Sequence, residues 1–289
     1  FREHAGKPQF KKVDLRCASA TTADLEANSL DAVITDPPYF ANVQYAELMD
    51  FCYVWLRRLV GRQNSVFGNP STRNEGELTG NATLDRGLDH FTRGLSEVFC
   101  RFSAALKHGA PFVFTFHHNS IEAYYPVAVA LLDAGLVCTS SIPCPAEMSA
   151  SIHINGTGSS IVDTVFVNRL TGTIRRSTLS LDPKEIASLV LEDLEKLAAG
   201  GMKITPGDAR CVLFGHLVRL TVWHLRNRWD TTLPWVEKLN MVARFMQRLD
   251  GARILEEYLR IQPSRYLKRL VNLREKSPEY GEEKDEISF

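Results

Sequence analysis

Asp36, Pro37, Pro38 and Tyr39 are the residues of this chain whose types and order point most directly to chemistry. They close the apolar run "DAVIT" at 31 to 35, so a carboxylate stands where that run ends. The carboxyl end of a strand in an open α/β sheet is where ligands bind. Two consecutive prolines remove two backbone donors and set φ, which leaves the carbonyls of Asp36 and Pro37 pointing in defined directions. Tyr39 adds a flat aromatic face beside this rim of acceptors. A carboxylate, a fixed carbonyl and an aromatic plane together suit a planar ring that bears an exocyclic amino group: the acceptors take the two amino hydrogens and the aromatic stacks on the ring.

The elements that position these residues are read from hydrophobic period. "KVDLRC" at 12 to 17 alternates as a half-buried strand, and "DAVIT" suits a central parallel strand. Between Tyr45 and Leu59 apolar residues recur at helical spacing (Leu48, Phe51, Cys52, Trp55, Leu59), whereas 61 to 90 has no period and reads as a long surface loop. An amphipathic helix from Phe91 to Leu106 precedes "FVFTFHH", a buried strand. A helix over "SIEAYYPVAVALLDAG" then leads to extended runs at "LVCTSSIP" and at 164 to 169. The expectation is an α/β domain over residues 1–170 with a largely parallel sheet, closed by a final strand pair. From 171 to 289 the pattern is helical only: Asp182, Pro183 and Glu185 form a capping-box spacing, and "TPGDARC" and "LPWVEKL" open further helices. The stretch 253 to 276 is basic and reads as a solvated helix face in preference to a DNA surface; the last residues are acidic.

Composition narrows the function classes. The chain has 289 residues, 44% hydrophobic and 24% charged, with Lys+Arg and Asp+Glu both at 34. The balanced charge exerts no global pull toward nucleic acid, so contact with DNA would rest on local patches. No run has the apolar length of a membrane span, and the N-terminus lacks a signal-peptide core. The six cysteines (17, 52, 100, 138, 144, 211) form no CxxC pair. They read as reduced, mostly buried thiols of a cytoplasmic protein without a metal site. The "NGTG" at 155 to 158 lacks the strand-then-helix setting of a phosphate loop and reads as an ordinary loop.

"DPPY" after a hydrophobic strand resembles the catalytic motif of the S-adenosylmethionine-dependent amino-methyltransferases that modify adenine, or less often cytosine, in DNA. "RCASATTADLEANSLDAVITDPPYFANVQYAELMDFCYVWLRRLVG", "ALKHGAPFVFTFHH" and "SSIVDTVFVNR" together are similar to large adenine-specific methylases of prokaryotic defence systems that carry an upstream domain of unknown function. The resemblance spans about residues 10 to 170. It implies a partial Rossmann-like methyltransferase sheet followed by an all-helical C-terminal unit, with DNA and S-adenosylmethionine as substrate and cofactor. It further implies that Asp36 and the Pro37 carbonyl hold the amino group, with Pro38 stiffening the rim and Tyr39 and Phe40 stacking on a flipped base. Asn42, Gln44 and Tyr45 either line the cleft or cap the next helix. His117 and His118 either face the pocket or end a strand in solvent. The cofactor adenosine would lie near Ser19, Ala20 and Thr35, where "CAS" departs from the family pattern. The family's Phe-x-Gly-x-Gly turn for the cofactor is missing, which implies a C-terminal portion of a longer enzyme, with the remainder or other defence subunits as partners. The alternatives are a non-catalytic DNA-binding or assembly subunit, or an amino-methyltransferase acting on cytosine or a protein glutamine.

Overall fold

The run "FVFTF" forms strand β2 (Phe112–Phe116), and its alternation is physical: Phe112, Phe114 and Phe116 are at most 1% exposed while Val113 and Thr115 are half-buried. Helix α2 (Leu88–Ala105) covers the phenylalanine face with Phe91, Leu95 and Phe99, spaced one helical turn apart. The Phe99 ring lies 4.8 Å from Phe112 and 5.0 Å from Phe114. Helix α3 (Tyr124–Asp133) is buried along most of its length and packs against α2.

The computed structural model describes residues 13–61, 67–146, 160–174, 179–251 and 253–254. Among these, β1 (Val33–Thr35), β2, β3 (Leu136–Pro145) and β4 (Val162–Leu170) form one open mixed sheet of a mixed α/β fold, in the order β1-β2-β4-β3. Only β1 and β2 are parallel; β4 runs antiparallel to both β2 and β3. The expected largely parallel sheet is therefore corrected to a mixed one. β3 and β4 are sequential strands that pair side by side as an antiparallel ladder from Leu136–Leu170 to Pro145–Val162.

The strand expected at 12 to 17 is also corrected. Residues 13 to 17 are irregular, with Val13 74% and Leu15 91% exposed. A half-buried strand needs a sheet to bury one of its faces; here β1 pairs only with β2, and the stretch has no ladder partner. Helix α1 (Tyr45–Val60) forms where expected but turns its apolar side outward: Leu48, Phe51, Trp55 and Leu59 are 58%, 73%, 56% and 78% exposed. Its polar side is the one held, through Ala46 N to Glu77 (3.0 Å), Asp50 to Ser71 (2.7 Å) and Tyr53 Oη to the Asn69 carbonyl (2.8 Å).

The helices after Leu170 are α4 (Pro183–Ala199), α5 (Pro206–Leu225) and α6 (Trp235–Arg248). At α4 Asp182 caps the Lys184 N–H, not the Glu185 N–H that a capping box would use. The reciprocal box is at α5, where Thr205 and Asp208 exchange hydrogen bonds. Helix α5 lies on β3 and β4; a Cβ at Gly215 would come 2.8 Å from Thr164, so glycine permits the close approach. Trp223 Nε1 donates to the Cys138 carbonyl at 2.7 Å, and one core joins Phe112 and Leu131 with Val218, Val242 and Met246. Cys138 and Cys211 are buried, but Cys17, Cys52 and Cys144 are exposed, which corrects the expectation of mostly buried thiols. The "NGTG" and all but the first residues of the basic stretch lie outside the described residues. No described helix is long and apolar enough to cross a membrane.

Candidate functional site

The parallel register sets Thr35 beside Phe114, so the next residues along the two strands, Asp36 and Thr115, come together. Thr115 Oγ1 donates a short hydrogen bond to Asp36 Oδ1. The carboxylate is otherwise exposed at the strand end, while Pro37 behind it is buried. A hydroxyl donor on one oxygen leaves the other free to accept from a bound group.

Tyr39 packs its ring on Phe116, centroids 5.4 Å apart, and its hydroxyl donates to Asp163 Oδ2 at 3.5 Å. Burial, with Asp36 and Asp163 close by, raises the phenol well above its ordinary value, so Tyr39 is a neutral donor. Its N–H reaches the Tyr45 hydroxyl at 3.4 Å, which places Tyr45 beside the rim. Asn42 donates to the His117 carbonyl at 3.0 Å, tying the segment after the prolines to the end of β2. Gln44 does not cap α1 with its side chain; it bonds the Gly80 carbonyl at 2.8 Å and accepts from Asn81 at 3.0 Å.

Phe40 is turned away from the rim. Its ring meets Phe91 at 5.4 Å and lies 6.2 Å from His118, and its backbone φ is +21°. The hydroxyl of fully buried Thr79 lies 2.8 Å from the Phe40 carbonyl and 3.0 Å from the Val43 carbonyl, so its single hydrogen is shared between these acceptors. The Gly80 N–H bonds the same Phe40 carbonyl at 3.1 Å. A Cβ at Gly80 would come within 2.8 Å of the Phe40 ring. Residues 77 to 81, expected to belong to a surface loop, thus hold the segment that follows the motif.

The histidines face inward. His117 Nδ1 lies 2.9 Å from the Val162 carbonyl and 3.4 Å from Cys211 Sγ; burial pushes that thiol up to about 11, so it is protonated and not a nucleophile. His118 Nδ1 accepts from the Ser120 N–H at 3.0 Å. Ser19 and Ala20 sit in an exposed turn, where Ser19 Oγ meets Thr21 Oγ1 at 2.8 Å, and Thr35 is half-buried at the end of β1. No group of three or more His, Cys, Asp or Glu converges among the described residues.

The structure thus brings together Asp36, Pro37, Tyr39 and Tyr45 with two residues that sequence reasoning missed, Thr115 and Asp163. Thr115 is the one polar residue in "FVFTF", a signal available in the sequence; the approach of Asp163 has no local signal at all. No protein-family model, curated protein or solved structure matches the chain.

Proposed function

We propose that this chain forms the amino-group-binding part of an S-adenosylmethionine-dependent DNA methyltransferase that acts on adenine. The observation that carries the reading is the Asp36 carboxylate at the end of β1, oriented by Thr115 and flanked by the rigid Pro37-Pro38 rim and the Tyr39 ring. An exocyclic amino nitrogen on a purine is a poor nucleophile because its lone pair is delocalised into the ring. Asp36 and the Pro37 carbonyl accept its two hydrogens, favour a pyramidal nitrogen and free the lone pair for an electrophilic methyl group. Because Asp36 is exposed, a base swung out of the duplex can reach it. The sheet is read as part of a Rossmann-like methyltransferase sheet, and the antiparallel β3 and β4 as its closing strand pair.

The described residues do not fit the methyl donor itself. Ser19 and Ala20 lie in an exposed turn, and the described glycine that stands between a strand of this sheet and the helix after it, Gly172, follows the end of antiparallel β4 that lies opposite Asp36. The reading therefore assigns this chain the acceptor side of the reaction and derives no step through the cofactor.

The test is transfer of labelled methyl groups from S-adenosylmethionine to DNA by the full-length protein. Wild type is expected to label the adenine amino group, and Asp36→Ala to abolish labelling while the fold stays intact by circular dichroism. Label on cytosine or on protein would move the reading to a different amino group, and Asp36→Ala at near wild-type rate would sink it.

A further inference from the structure

We propose that two copies of this chain pair by laying the outward apolar stripe of α1 of each on the helix-free face of the other's sheet. The pairing is independent of the chemistry at Asp36. Its first half is the sheet. Helices α2, α3 and α5 all lie on the face that carries Phe112, Phe114 and Phe116: Phe99 of α2 meets Phe112, Tyr124 of α3 meets Phe116 at 5.1 Å, and Gly215 of α5 approaches Thr164, the β4 partner of Phe116. The opposite face is aliphatic, with Ile34 beside Val113, Val113 beside Val167 and Ile142 beside Val165. None of these residues belongs to either core of the described residues; Ile34 is 80% and Ile142 50% exposed, and the three valines are half-buried. A sheet that is apolar on both faces is an inner layer and needs cover on each side.

The second half is α1. Leu48, Phe51, Trp55 and Leu59 recur at helical spacing and form one stripe. Hydrogen bonds from the opposite side of the helix to residues 69 to 77 turn this stripe away from its own chain, and no other described helix or strand packs extensively on α1. Within one copy the stripe cannot reach the sheet without breaking those bonds. A second copy supplies it: an apolar helix without a sheet meets a sheet face without a helix. Across a two-fold axis each copy gives and receives the same contact, and the assembly closes at two. The size agrees. A specific interface buries about 800 Å² on each partner, and an aromatic side chain brings about 150–250 Å², so the exposed parts of Phe51 and Trp55 with those of the aliphatic residues on α1 and the sheet face reach that order.

Sedimentation velocity of the 289-residue chain over a concentration series tests the pairing. Wild type is expected to pass from monomer to dimer and stop there; a chain that stays monomeric, or that grows beyond two copies, overturns the proposal. Phe51→Lys with Leu59→Lys alters only the helix stripe, and Ile34→Glu with Ile142→Glu alters only the sheet face. All four positions are at least half exposed, so each dissociated copy keeps its own core. Each variant should raise the dimer Kd more than about tenfold. A sheet-face variant that dimerises as well as wild type would mean that α1 pairs with α1, or that another surface is used, and overturns the proposal.

Mixing the two variants separates helix-on-sheet pairing from a general loss of association. In the mixed pair the sheet-face variant's α1 meets an unaltered sheet, while the introduced lysines of the other α1 meet the introduced glutamates. The mixture should therefore form a heterodimer at concentrations where neither variant pairs with itself. Two variants that stay monomeric when mixed overturn the proposal.

Discussion

In the proposed reading the Asp36-to-Tyr39 segment is an acceptor rim in which each residue restricts the next. Pro37 and Pro38 remove donors, Thr115 occupies one oxygen of Asp36, and Tyr39 is pinned by Phe116 below and Asp163 at its hydroxyl. His118 sits behind this rim and carries a testable pH signature. Burial lowers its pKa from the ordinary imidazole value and outweighs the opposing, pKa-raising hydrogen bond with the Ser120 backbone. The unfolded chain therefore takes up a proton at a higher pH than the folded one. The stability this histidine supports is complete above its unfolded value of about 6.5 and declines as pH falls below it, toward the lowered folded value. Urea unfolding midpoints between about pH 7 and pH 5 should fall for the wild type and fall less steeply for His118→Asn. Equal slopes would show that His118 does not titrate on unfolding.

At the scale of elements, α1 is the exception to ordinary packing. Its hydrogen bonds to residues 67 to 77 fix the side that carries Ala46, Asp50, Tyr53 and Arg57. Those bonds are directional and orient the helix, so the apolar side is left outward with Phe51 73% and Leu59 78% exposed. Large apolar side chains exposed together on one helix favour self-association. Phe51→Lys with Leu59→Lys removes exposed apolar area at two mostly exposed positions and adds a good helix former. Light scattering should show less self-association for this variant, with stability within about 0.5 kcal/mol of wild type. A large loss of stability would mean that the apolar side is packed in solution.

In the whole molecule, the C-terminal helix α6 is joined to helix α3 by a buried charge pair as well as by the shared core. Lys238 on α6 and Asp133 at the end of α3 meet at 2.9 Å with 3% and 5% of their side chains exposed, and Trp229 Nε1 donates to the same carboxylate at 2.8 Å. The Lys238 ammonium also lies 4.3 Å from the Trp235 ring centre. Lys238→Met leaves the Asp133 carboxylate buried without its cation and should cost about 3 kcal/mol in denaturant unfolding. Adding Asp133→Asn, which keeps an acceptor for Trp229, should restore much of that loss; if it restores nothing, the pair is not the source of the cost. The 289-residue chain as a whole offers an acceptor rim but no cradle for the methyl donor among its described residues. Calorimetric titration with S-adenosylmethionine is accordingly expected to show no tight binding, because the described residues do not supply the hydrogen bonds and burial that offset association entropy. A low-micromolar Kd would reveal a donor site elsewhere in the chain.

Short-range physics was legible in the sequence alone. The buried strand β2 follows from the apolar run "FVFTF", and the starts of α4 and α5 from Asp182-Pro183 and Thr205-Pro206, since each depends on residues close to one another in the chain. Tertiary structure alone decided the rest. Alternation at 12 to 17 and the helical stripe on α1 say which side of an element is apolar; whether another element covers that side depends on sheet order and packing, and here neither is covered. The meeting of Tyr39 with Asp163 spans 124 positions and follows from β4 lying between β2 and β3, a pairing order that no local propensity encodes. Pairing order is selected by the burial of the whole phenylalanine face at once, a cooperative quantity that exists only when all the strands are in place.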